Sequence, residues 1–257
     1  MDAAVKMTAV QKRYEGRTVV EALGDIDLTI ADREFAVLLG PSGCGKSTLL
    51  NVLAGFETVT AGSVRVFGAE VQHPGPDRAV VFQEAALFPW LTVRENVAFA
   101  PRLKGIARRE CQNLARKALS QVGLTAFENA LPDQLSGGMK QRVGIARALV
   151  MEPRVLLMDE PFGALDAQTR LSMQELLLDV WERQRKTVLF ITHDIDEAIL
   201  LADTLYVMSA RPGRIKARIP VTLPRPRNLD MLSSSDFNPL RRQIMQLIRD
   251  QTGAAHE

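Results

Sequence analysis

The chain has 257 residues, 32 Lys and Arg against 30 Asp and Glu, a formal net charge of +2, and 46% hydrophobic residues. This is enough apolar material for a sizeable core and argues against disorder, while the near-balanced charge argues against a dedicated nucleic-acid binder. No apolar run reaches the roughly 18 residues that span a bilayer, and the start of the chain lacks a secretion signal's apolar stretch. Its two cysteines, Cys44 and Cys111, cannot frame a disulfide scaffold and suit a reducing compartment. The expectation is a cytosolic globular protein of one large domain or two small ones.

Residues 5–10, 26–30 and 63–67 alternate apolar with polar side chains, the pattern of an antiparallel sheet. Residues 34–39 form an apolar run that reads as a buried strand. A Gly-rich turn follows, and then a helix over 48–54 that stops near Gly55. Residues 79–82, 155–158 and 187–191 are further candidate buried strands. Between about 87 and 150 the character changes, and 102–122 predicts a helical insertion. Beyond Pro212 the chain is rich in Pro and Arg until Asn238, and 239–251 predicts an amphipathic helix. Short apolar runs alternating with amphipathic stretches imply an α/β fold with a largely parallel sheet. Arg108 and Arg109, and the arginines at 225–227, read as solvated faces.

Gly40, Pro41, Ser42, Gly43, Cys44, Gly45, Lys46 and Ser47 match the pattern G-x-x-x-x-G-K-[ST], with an apolar strand before and a helix after. Glycines let backbone N–H groups approach phosphates closely, and the helix start adds its positive end. Lys46 can bridge the β- and γ-phosphates and the Ser47 hydroxyl can ligate Mg²⁺. Cys44 reads as a small filler. Asp159 and Glu160 emerge from the 155–158 strand at its C-terminal edge, where α/β sheets bind ligands. Asp159 is placed to hold Mg²⁺ through its water shell, and Glu160 can accept a proton from an attacking water. With only 3 His, no His-based metal cluster is suggested. In Leu135-Ser136-Gly137-Gly138-Met139, Ser136 is a good N-cap and the glycines leave backbone N–H groups open to an anion.

Taken along the chain, from residues 40–47 through Gln83, 135–139, 155–160 and Asp166 to His193, the motifs resemble those of the nucleotide-binding subunits of ABC transporters in identity and order, and the resemblance covers nearly all of the chain. It implies a RecA-like P-loop NTPase core with an antiparallel β subdomain (1–86 and 151–257) and a helical signature subdomain (about 87–150). The resemblance gives ATP binding to residues 40–47 and Thr48, with Tyr14 stacking on adenine, and Mg²⁺ to Ser47, Gln83 and Asp159. It makes Glu160 the catalytic base, with Lys46, and His193 in Thr192-His193-Asp194 a contact to the γ-phosphate. Asp166, in Ala164-Leu165-Asp166, becomes a dimer contact. The family's fifth signature residue is usually Gln and here is Met139. Two copies are expected to face each other head to tail, with Ser136, Gly137 and Gly138 reaching the partner's ATP.

The apolar segment 85–93 has two readings: packing of the helical insertion onto the core, or a groove for a short helix of a membrane-spanning partner. Residues 82–90, 159–166, 209–215 and 223–227 resemble the nitrate/sulfonate/taurine importer branch. That resemblance implies an ATPase on the inner face of the cell membrane, bound to permease subunits and served indirectly by a solute-binding protein. Taurine or another alkanesulfonate is the first expectation for the solute, and nitrate the second. From the length of the stretch after His193, no appended regulatory domain is expected. A non-transport ABC ATPase of DNA repair or translation is the alternative, but it calls for a long coiled-coil insertion or a second P-loop, neither of which is present. A P-loop kinase or GTPase has no use for Leu-Ser-Gly-Gly.

Overall fold

The computed structural model describes residues 3–253, with side chains described through residue 249. The chain begins with β1 (Ala3–Tyr14), β2 (Val20–Ala31) and β3 (Phe35–Leu39), then α1 (Lys46–Ala54), β4 (Ala61–Val66) and β5 (Ala69–Glu70). Next come β6 (Arg78–Val81), α2 (Val93–Leu103), α3 (Arg108–Gln121), α4 (Gly137–Leu149), β7 (Val155–Asp159) and α5 (Ala167–Gln184). The remainder forms β8 (Thr187–Thr192), α6 (Ile195–Leu201), β9 (Thr204–Met208), β10 (Ile215–Pro220) and α7 (Phe237–Gly253). Two compact units result: the residues up to Gly75 with those from Arg185 onward, and Pro76–Gln184.

In the first unit, β2, β1, β4 and β5 form an antiparallel sheet in that order. Val5, Met7 and Val10 of β1 are buried while Lys6 and Thr8 are exposed, the expected alternation. A register shift between Met7 and Val10 places Ala9 at φ 46°, a bulge that re-phases the strand. The unit's other sheet sets β3 between β8 and β9, parallel to both, with β10 antiparallel to β9. Every residue of β3, β8 and β9 is buried, which is why β3 and β8 read as unbroken apolar runs.

The arginines at 225–227 correct the sequence reading. Arg225 pairs with Asp203 at 2.7 Å and donates to the Leu201 carbonyl at 2.7 Å. Arg227 is 5% exposed and donates to the carbonyls of Ile199, Leu200 and Ala202 at 3.1, 3.2 and 2.5 Å. The physical reason is the carbonyl end of the short helix α6, whose unpaired acceptors these guanidiniums satisfy. Arg108 and Arg109 are exposed, as expected.

In the second unit, β6 runs parallel to β7. Val81 is buried, but residues 78–80 are partly exposed, so β6 is less covered than the sequence suggests. The expected helical stretch breaks at Gly105 (φ 76°) into α2 and α3, with α4 following. A capping box starts α2: the Thr92 hydroxyl accepts from Glu95 N, and the Glu95 carboxylate accepts from Thr92 N at 2.9 Å.

Candidate nucleotide site

In the first unit, the buried strand β3 delivers Gly40 at its C-terminal end, and residues 40–45 turn the chain into α1. Gly45 sits at the N-cap with φ 102°, and a Cβ there would lie 2.7 Å from the Ala22 carbonyl oxygen, so the backbone needs glycine twice over. No side chain among the described residues caps α1, which leaves its first turn suited to an anion. Lys46 is 4% exposed; its Nζ donates to the carbonyls of Gly40 and Pro41 at 2.9 and 3.0 Å. The cation thus sits inside the loop, solvated by the loop's own oxygens. Cys44 is buried under Gly40, as a filler would be, while Ser42, Gly43 and Ser47 are exposed and Pro41 and Thr48 half-buried.

Tyr14 ends β1 and is 38% exposed, with the Lys12 ammonium 4.9 Å from its ring centroid. Lys12 is held there by Glu57 and the Thr58 carbonyl, each at 2.8 Å. His193 follows β8 and is exposed. Asp194 beside it caps α6, its carboxylate accepting from Glu197 N at 3.0 Å.

In the second unit, β7 ends on half-exposed Asp159. Glu160 follows at φ 42°, a left-handed conformation that a non-glycine residue adopts at a cost and that is common at functional sites. Its carbonyl accepts from Gly163 N at 3.0 Å. The Gln83 carboxamide lies against this turn, Nε2 being 3.1 Å from where a Cβ on Gly163 would stand. Asp166 precedes α5 and accepts from Thr169 N at 3.0 Å; hydrogen bonds from Thr169, first from its side chain, hold the carboxyl below its ordinary pKa.

Ser136 caps α4, its Oγ accepting from Met139 N at 3.3 Å. Ser136 and Gly137 are exposed and Gly138 is buried. Met139 contributes its backbone N–H to the cap, and its side chain offers no counterpart to a Gln carboxamide.

Three residues of this unit escaped the sequence reading. Gln141, buried in α4, donates to the Phe82 carbonyl at 3.0 Å. Arg147 donates to Ala85 and Ala86, and burial pulls its pKa below the usual arginine value. The carboxamide of Asn96, fully buried in α2, accepts from Phe88 N at 2.8 Å and donates to the Phe88, Leu91 and Thr92 carbonyls. The apolar segment is therefore pinned at both ends. A cavity of about 470 Å³ lies beside it, lined by Leu87, Pro89, Pro132, Lys140 and Leu165 among others. Trp90 stands 73% exposed, its ring 5.7 Å from Phe88.

Residues 23–163 match the family model described as ABC transporter. The chain belongs to the ABC transporter family. A putative ATP-binding protein of Brucella abortus is 49% identical over 98% of this chain and 95% of its own length. The taurine import ATP-binding protein of Chromobacterium violaceum is 55% identical, over 83% of this chain and 81% of that one. The nitrate import ATP-binding protein of a Synechocystis species is 48% identical over 86% and 83%. An ATP-binding cassette solved as a dimer in a post-hydrolysis state with ADP and Pi is 33% identical, with a TM-score of 0.75 over 85% of this chain and 99% of that one. The fold is thus that of an ABC ATPase cassette. Among the described residues, no helix of this cassette is long and apolar enough to cross a membrane.

Proposed function

We propose that this cassette is the ATP-hydrolysing subunit of an importer for a small oxyanion, taurine or another alkanesulfonate first and nitrate second. The observation that carries the ATPase reading is Lys46, buried within the glycine loop at the uncapped start of α1. A terminal phosphate offers that ammonium charged oxygens in place of neutral carbonyls. Identity to a taurine import ATP-binding protein supports the choice of solute.

In this reading Tyr14 stacks on the adenine, and residues 40–48 hold the phosphates. Ser136, Gly137 and Gly138 of a second copy close over the γ-phosphate, and Asp166 lies at the junction of the two copies. Glu160 takes the proton of the attacking water as the new P–O bond forms and the bond to the departing ADP oxygen breaks; His193 steadies the γ-phosphate. Among the described residues no three His, Cys, Asp or Glu side chains cluster to cage an ion. In this reading the Ser47 hydroxyl, the Gln83 carboxamide and the Asp159 carboxylate would each offer Mg²⁺ an oxygen, the kind of donor it accepts alongside phosphate oxygens and water. When bound there, Mg²⁺ neutralises phosphate charge.

The groove beside residues 85–90 would take a short helix of the permease, placing the protein on the inner face of the membrane, with a solute-binding protein delivering substrate on the far side. Reconstitution with the cognate permease and binding protein tests this. ATP-dependent uptake of taurine is the expected result, and ATPase activity stimulated by DNA or ribosomes instead would defeat it.

A further inference from the structure

The loop between β9 and β10 lies against the phosphate loop, 168 residues away in sequence. Arg211 Nε donates to the carbonyl oxygen of Gly43 at 3.0 Å. Gly213 is buried, and a Cβ added there would collide with the carbonyl oxygen of Cys44. Gly213 is fixed in turn: its N–H donates to Ala22 O at 3.0 Å and its carbonyl accepts from Gly24 N at 3.0 Å. Arg214 adds an ion pair to Asp25 at 3.4 Å.

Peptide planarity converts these contacts into orientation, because C=O and N–H point opposite ways across a trans unit. Holding the Gly43 oxygen on Arg211 turns the Cys44 N–H to the opposite side of the peptide, where it donates at 3.4 Å to Pro41 O, the carbonyl that also accepts from the enclosed Lys46 ammonium. Seating the Cys44 oxygen against Gly213 turns the Gly45 N–H away from that face. We infer that Arg211 and Gly213 are positioning residues for phosphate binding, which hold two consecutive peptide units of the loop with oxygens outward and N–H groups inward. A carbonyl swung inward would replace a charge-assisted donor with a repelling oxygen. This rests on the proposed reading of residues 40–47 as the phosphate site.

Substitutions of Arg211 separate positioning from charge. Glutamine carries an N–H donor as many bonds from Cα as arginine Nε, without the charge; methionine fills similar length without a donor. Titration of the full-length protein with MgADP and MgATP should show Arg211→Gln within about twofold of wild type and Arg211→Met about fivefold weaker. Gly213→Ala should bind about tenfold or more weakly, with KM for ATP rising in step and kcat changing less than about twofold. Wild-type affinity in Arg211→Met would overturn the inference, as would Arg211→Gln weakened as far as Arg211→Met, since the charge would then act directly. Should Gly213→Ala fail to fold, the two Arg211 variants still decide. A wild-type protein that binds no nucleotide overturns the proposed function and this inference together. Normal wild-type binding with unaffected variants overturns the inference alone.

Discussion

Arg147 Nη2 donates to the Ala85 carbonyl oxygen at 2.6 Å, joining the last turn of α4 to the backbone two residues after Gln83. Gln141, nearly two turns earlier, holds the Phe82 carbonyl just before Gln83. The helix that opens on Ser136 therefore grips the Gln83 segment on both sides, and a shift of one displaces the other.

Arg147→Met should cost about 1–3 kcal/mol of stability, because carbonyls of Ala85 and Ala86 lose their donor. ATPase activity stimulated by the permease should fall several-fold further than basal activity. Assays with and without reconstituted permease measure this; equal losses in both would assign Arg147 to stability alone.

Glu160→Gln keeps the residue's shape and removes its basicity. Phosphate release should slow by about 10²–10⁴-fold, the range for loss of a general base, and an ATP-bound dimer should accumulate on size-exclusion chromatography. A monomer with normal turnover would refute the role.

Lys46→Met removes the buried cation while filling similar space. Wild-type protein should gain thermal stability on adding MgATP, by mass action. The variant should show little gain at the same concentration, with its nucleotide Kd raised at least about tenfold.

The Glu95 carboxyl is held below its ordinary value of 4.5, first by the Thr92 backbone N–H and then by the Thr92 hydroxyl. A depressed folded-state pKa adds stability above the unfolded value, and that stability is lost as pH falls through the folded one. Glu95→Gln should therefore be less stable than wild type at neutral pH, by roughly 0.5 kcal/mol or less, because the carboxylate is largely screened by water and glutamine keeps an oxygen for the Thr92 N–H. The gap should close in acid, as the wild-type carboxylate takes up its proton. Melting curves from neutral pH down through the carboxylate range measure the convergence.

The strands β3, β7 and β8 were legible because burial on both faces demands unbroken apolar runs. Neither β9 nor β10 was singled out. In β9, Thr204 and Tyr206 bring polar groups into the core, where the Tyr206 hydroxyl donates to the Thr29 carbonyl at 2.5 Å. In β10, Lys216 and Arg218 alternate outward within a Pro- and Arg-rich stretch. At the site, the loop holding Lys46 was readable because phosphate chemistry dictates its residue types. Gln141, Arg147 and Arg211 were not, because each meets a backbone carbonyl, which carries no side-chain identity, at separations of 59, 62 and 168 residues. The buried Arg227 went unread for the same reason, its acceptors being main-chain oxygens at the end of α6.

The two tryptophans of the chain stand in opposite surroundings. Trp181 is 3% exposed in α5, whereas Trp90 is 73% exposed beside the apolar groove. Their fluorescence should accordingly divide into a blue, constant component from the interior and a red, quencher-accessible one from the surface. An exposed indole next in sequence to Pro89, which lines the groove, equips the molecule with an intrinsic optical reporter, dimmed or blue-shifted when another surface shields it from water.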